Sequence, residues 1–123
     1  MNSRVVKVSS WILKISSIGF ILAACYHVLA IFIDLNNSVV WRNLLFVAIN
    51  AWCAFETRRL KPYFIVVFTI LFVQQLFSHG SSVIRNLHDH RFDWLGVFVL
   101  AAITIIYLAL IVSAIDKFKV NRK

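Results

Sequence analysis

Three stretches of this chain, residues 15–33, 63–84 and 94–115, contain no Asp, Glu, Lys or Arg. A hydrocarbon slab about 30 Å thick is crossed by about 20 consecutive apolar residues in helical form, and each stretch supplies them. Helices at a water-facing surface keep a polar face; uninterrupted apolar runs of this length point to membrane spans. A fourth stretch, 39–57, is less clear, because Arg42 and Glu56 leave only residues 43–55 uncharged. Alone, that length also suits a helix lying in the interface.

The cations decide between three spans and four. With four, at approximately residues 11–33, 39–57, 62–84 and 93–115, one side of the membrane holds Arg4, Lys7, Lys14, Arg58, Arg59, Lys61, Lys117, Lys119, Arg122 and Lys123. Only Arg42, Arg85 and Arg91 fall on the other. Lys and Arg accumulate on the cytoplasmic side of short loops, so the expected topology has both termini in the cytoplasm. If 39–57 did not cross, most of the cations would face outward, against that rule. Arg42 and Glu56 are then expected to snorkel to opposite interfaces. Pro62, directly after the Arg58-Arg59-Leu60-Lys61 turn, suits the first turn of the third span.

Net charge is +8 and 61% of the residues are hydrophobic. In a soluble protein such charge would suggest nucleic acid; here the apolar content sets the cations beside anionic lipid instead, and no nucleic-acid partner is expected. The expected partners are the lipid bilayer and either another membrane protein or a second copy. Short loops and small size suit a bacterial cytoplasmic (inner) membrane. The loops, 34–38, 58–61 and 85–93, leave no room for a separate soluble domain. Residues 1–123 therefore read as one integral domain, an all-α, up-down-up-down antiparallel bundle of four transmembrane helices. Leu22-Ala23-Ala24-Cys25 spells a lipoprotein cleavage site, but the apolar run continues through Ile33, and packing by small residues is the preferred reading.

Inside a bilayer the small and polar residues carry the information. In the first span Ser16, Gly19, Ala23, His27, Ala30 and Asp34 recur at helical spacing and should face the interior. Asn43, Val47, Asn50, Ala54 and Thr57 do so in the second, and Leu71, Gln75, Ser78 and Ser82, with His79 beside them, in the third. Thr104 and Tyr107 are the polar groups of the fourth. At 1.5 Å per residue, His27 and Gln75 both lie roughly 18 Å from the cytoplasmic ends, Thr104 about 16 Å, Asn43 about 21 Å and His79 about 24 Å. They are expected to share one layer in the outer half, as a hydrogen-bond network fastening the helices or as the lining of a small site.

As a binding site, the layer would use His27, His79, Asn43 and Gln75. Two histidines on different helices suit the axial ligands of a b-type haem, although their depths differ by about 6 Å. The same groups suit a quinone or a lipid headgroup. His88 and His90, with Asp89 and Asp93, form a loose metal-ligand pattern in the outer loop that lacks the spacing of a finished site. A solvated turn, with Asp93 capping the fourth helix, accounts for the same charges. Cys25 and Cys53 differ in depth by roughly 9 Å, too far for a disulfide. Trp11, Trp41 and Trp94 fall at span ends, as an aromatic belt requires.

No nucleophile elbow, phosphate loop or metalloprotease helix occurs. His27 and Asp34 are about 10.5 Å apart along the helix, too far for a catalytic dyad. A proton-coupled transporter would carry a carboxylate deep in the membrane, whereas Asp34 and Glu56 are both expected at interfaces. In its general plan, with a polar residue late in the first span, the chain resembles compact four-span bacterial families such as the DoxX-like proteins; no residue role is carried over. The expected function is that of an accessory or structural subunit without catalysis of its own, with haem, quinone or lipid binding as the alternative.

Overall fold

The computed structural model describes residues 3–33 and 39–120. These form four helices, α1 (Ser3–Ile33), α2 (Val40–Glu56), α3 (Pro62–His88) and α4 (Trp94–Val120). At 1.5 Å per residue they measure about 46, 25, 40 and 40 Å. Three of them, α1, α3 and α4, are long and apolar enough to cross a membrane. The expected 34–38 loop, with Asp34, lies outside the described residues.

The helices outrun the apolar stretches. Helix α1 is already formed at Ser3, ahead of the expected span from about residue 11, and Arg4 and Lys7 are good helix formers. Helix α3 continues through Arg85 to His88 and then closes with a Schellman turn. In that turn the Arg91 N–H donates to Asn86 O at 2.7 Å and the His90 N–H to Leu87 O at 3.1 Å. His90 takes the left-handed conformation this closure needs, with φ 55°. Pro62 opens α3 as expected, behind an extended Lys61. Asp93 caps α4, its Oδ1 accepting the Gly96 N–H at 2.8 Å and its Oδ2 the Ser82 hydroxyl at 3.0 Å. Gly96 is buried there, and a Cβ would come within 2.8 Å of Val83, so glycine lets α4 start close against α3.

Close backbone packing joins α1 to α2, α1 to α4 and α3 to α4. This departs from the expected ring of sequential neighbours: α1 and α4 form the central pair, with α2 packed on α1 and α3 on α4, and α2 and α3 are not packed along their lengths. Near their shared turn they are linked by the Trp52 ring, 5.2 Å from Phe64. Helices α1 and α2 run antiparallel over most of α2. Ser17 donates to Ala54 O at 2.7 Å toward one end, and His27 meets Asn43 at 3.0 Å toward the other. Tyr107 of α4 ties to α3 by stacking on Phe72, with centroids 4.3 Å apart, and by a 3.3 Å contact with Thr69.

The apolar core draws on all four helices through Leu13, Cys53, Phe64, Phe68, Ala109 and Leu110. It sits toward the end where α1 begins and α4 finishes. The interior face of α1 differs from the expected stripe at one place: Gly19 is exposed and Phe20 packs on the core, edge-on to Phe68. The expected face of α2 holds, with Asn43, Ala54 and Thr57 buried and Val47 and Asn50 half-buried.

Candidate functional site

The sequence places five polar groups in one layer. The structure brings two of them together. His27 Nδ1 donates to Asn43 Oδ1 at 3.0 Å, and Asn43 is only 1% exposed. The imidazole stacks on Phe46 at 4.9 Å and 17°, with Tyr26 edge-on at 5.3 Å. Arg42 lies over the other end of this small stack, 5.9 Å from the Phe46 centroid. With its proton on Nδ1, a neutral His27 keeps Nε2 as its acceptor nitrogen.

The other members of the layer point their bonds elsewhere. Gln75 Nε2 donates to its neighbour Gln74, and the Thr104 hydroxyl to Leu100 O of its own helix. His79 is half-buried on α3. Helices α1 and α3, which carry the two histidines proposed as haem ligands, are not among the closely packed pairs. His88 and His90 belong to the closure of α3 described above, and no group of three or more His, Cys, Asp or Glu able to hold a metal occurs among the described residues. Cys25 and Cys53 are both free thiols.

In the loop ahead of α4, the Gly96 N–H, then the Ser82 hydroxyl, holds the Asp93 carboxyl below the ordinary carboxylate range. Its role is structural, as the cap of α4.

Most of the buried polarity lies at the opposite end of the bundle. Ser9, Ser16, Ser17, Glu56, Thr57 and Ser113 are all buried there, on α1, the end of α2 and the last third of α4. Glu56 corrects an expectation. It does not snorkel to an interface; it is 3% exposed, and its Oε2 has no hydrogen-bond partner. The reason is the tight α2–α3 turn. Leu60, at φ 52°, folds the chain back and donates its N–H to Glu56 O at 3.0 Å, while Lys117 of α4 reaches across to Arg59 O at 2.5 Å. The last turn of α2 is thereby packed inward. The Ser113 hydroxyl is also buried without a partner. Ser17, by contrast, is bonded both ways: it donates to Ala54 O and accepts from Arg58 Nε at 3.1 Å.

Sequence reasoning placed Ser16 and Thr57 on interior faces but missed that Ser9, Ser17, Glu56 and Ser113 are buried at the same end, because isolated serines in an apolar helix read as ordinary filler. The available signal was the pairing of Glu56 with the Arg58-Arg59 turn, which placed a carboxylate beside cations at the same depth.

No protein-family model, curated protein or solved structure matches this chain. The resemblance in plan to DoxX-like proteins therefore has no match behind it, and function is argued from the molecule's own surfaces.

Proposed function

We propose that this chain is a four-span protein of a bacterial cytoplasmic membrane, with both termini in the cytoplasm, that acts without catalysis of its own as a subunit of a membrane complex or homo-oligomer. The crossing of α2 is supported by its antiparallel packing on α1. A helix bonded to a spanning neighbour near both of its ends stands beside that neighbour and cannot lie flat in the interface. Its length of about 25 Å, against a hydrocarbon core of about 30 Å, is within what bilayer thinning and snorkelling by Arg42 accommodate.

The observation that carries the subunit reading is the outer face of α3. Only Phe64 and Phe68 of this helix are buried. Gln74 and Ser78, one turn apart, are exposed, next to half-buried Gln75 and His79. Counted from Pro62, Gln74 and Ser78 lie about 18 and 24 Å along the helix, well inside the hydrocarbon. Gln75 Nε2 already donates to Gln74 Oε1, but one such bond leaves further amide N–H groups that need acceptors, and lipid tails offer none. A helix from another chain does.

A photo-crosslinking side chain placed at Ser78 in native membranes tests this. The proposal expects a discrete protein adduct, lost in the Gln74→Leu/Gln75→Leu background. Adducts to lipid alone would contradict it.

A further inference from the structure

At the end of the bundle where α1 begins, a cavity of about 420 Å³ opens between α1, the α2–α3 turn and α4. Each of the three elements contributes one cation to its wall: Lys14, Arg58 and Lys117. Asp116 is the only acid among the described residues that line it. The floor is apolar, formed by Leu13, Ile18 and Leu60. A second cleft of about 460 Å³ shares Ser10, Lys14 and Asp116 with the first and extends it along α1 past Lys7 and Trp11.

These cations retain donors for a further ligand. Arg58 gives its Nε to Ser17, which leaves the terminal guanidinium nitrogens for another acceptor. Lys117 makes one bond, to Arg59 O, out of three available, and the Lys14 ammonium rests 5.5 Å from the Trp11 ring centroid. An independent sign of a ligand is Ser113. It lines the cavity, is 7% exposed, and its hydroxyl has no partner within the protein. Buried hydroxyls are nearly always bonded, so an orphan in the wall of a cationic cavity marks where an acceptor belongs.

We propose that this cavity is a phosphate-ester site, in which Lys14, Arg58 and Lys117 hold the phosphate oxygens and the Ser113 hydroxyl donates to one of them. Guanidinium and ammonium groups lining one cavity from three elements suit a tetrahedral oxyanion with several acceptors. The volume exceeds that of a simple ion and the floor is apolar, so the phosphate arrives on a larger, partly apolar carrier. The headgroup of an anionic phospholipid and a soluble phosphomonoester both present that chemistry. The site does not depend on the subunit role or on which side of the membrane this end faces.

The test is native mass spectrometry of the full chain in detergent, titrated with short-chain phosphatidylglycerol, short-chain phosphatidylcholine and glycerol 3-phosphate. Phosphatidylglycerol should bind about tenfold or more tightly than phosphatidylcholine, whose choline cation meets the same positive walls; that ratio is the size of one charge-assisted hydrogen bond. Competition by glycerol 3-phosphate would assign the site to soluble phosphate esters; retention of the lipid in its presence would assign it to the lipid headgroup. Lys14→Gln/Lys117→Gln should abolish the preference for phosphatidylglycerol, while Arg85→Gln, at the far end, should leave it intact. Ser113→Ala should weaken binding several-fold with no fall in melting temperature, because it deletes a hydroxyl that has no partner in the unliganded fold. Equal binding of the two lipids, or an unchanged preference in Lys14→Gln/Lys117→Gln, would overturn the proposal.

Discussion

The His27–Asn43 bond joins the two helices that pack most extensively, and its worth can be worked from the structure. Asn43→Ala removes a side chain that is 1% exposed and leaves the His27 Nδ1–H without its acceptor. Interhelical hydrogen bonds in membranes average about 0.6 kcal/mol and reach about 1.7. The void left by the amide adds about 1 kcal/mol. Asn43→Ala should therefore cost about 1–3 kcal/mol. His27→Ala should cost a similar amount, since it also loses the stacking on Phe46, worth about 0.5–1.5 kcal/mol. Because each single variant loses more than the shared bond, only a double-mutant cycle isolates it. Measured by reversible unfolding in mixed micelles, the coupling energy should lie between about 0.6 and 1.7 kcal/mol. Costs that simply add would show that the two residues do not act as a pair, and the assignment of this bond as an interhelical fastener would be refuted.

Three further outcomes follow from the same structure. The Asp93 carboxyl is held below its unfolded value by the Gly96 N–H and the Ser82 hydroxyl, so its contribution is fully present above the unfolded pKa of about 3.9 and is lost as pH falls through the lowered folded value; melting temperature should drop over that acid range in the native chain and change less in Asp93→Asn. His90→Gly should raise stability by about 1 kcal/mol, since glycine takes the left-handed closure of α3 without a Cβ penalty; a loss on chemical unfolding would indicate that the imidazole holds something. Glu56→Met should stabilise by about 1–3 kcal/mol, because it replaces a buried carboxylate whose Oε2 has no partner with an apolar side chain of similar length; marked destabilisation would mean that the carboxylate is paired in the membrane.

The sequence made the helices legible because crossing a bilayer demands unbroken apolar runs, and the starts of α3 and α4 at Pro62 and Trp94 agree closely with those runs. It did not reveal where the helices end. Arg4, Lys7 and Arg85 to His88 continue the helices beyond the apolar runs, where hydropathy carries no signal. Residue counts set His27 and Asn43 at similar levels and the two bond, and the interior face of α2 was readable, but rotation was not readable everywhere: Phe20 rather than Gly19 faces the core, and Gln75 bonds along α3 instead of across the bundle. In membranes apolar residues face both lipid and core, so the amphipathic contrast that reveals orientation in soluble helices is nearly absent along α1 and α4. Glu56 was misplaced for a related reason. Its burial depends on the left-handed turn at Leu60 and the reach of Lys117, a tertiary arrangement that no local pattern announces.

If α2 crosses the membrane beside α1, the chain has four spans with both termini on one side. Substituted-cysteine labelling in intact cells, at Arg59, Asn86 and Lys123 in a background lacking Cys25 and Cys53, tests it most directly. An impermeant reagent should reach Asn86→Cys from outside and reach Arg59→Cys and Lys123→Cys only after the membrane is opened. Labelling of Arg59→Cys in intact cells would contradict it.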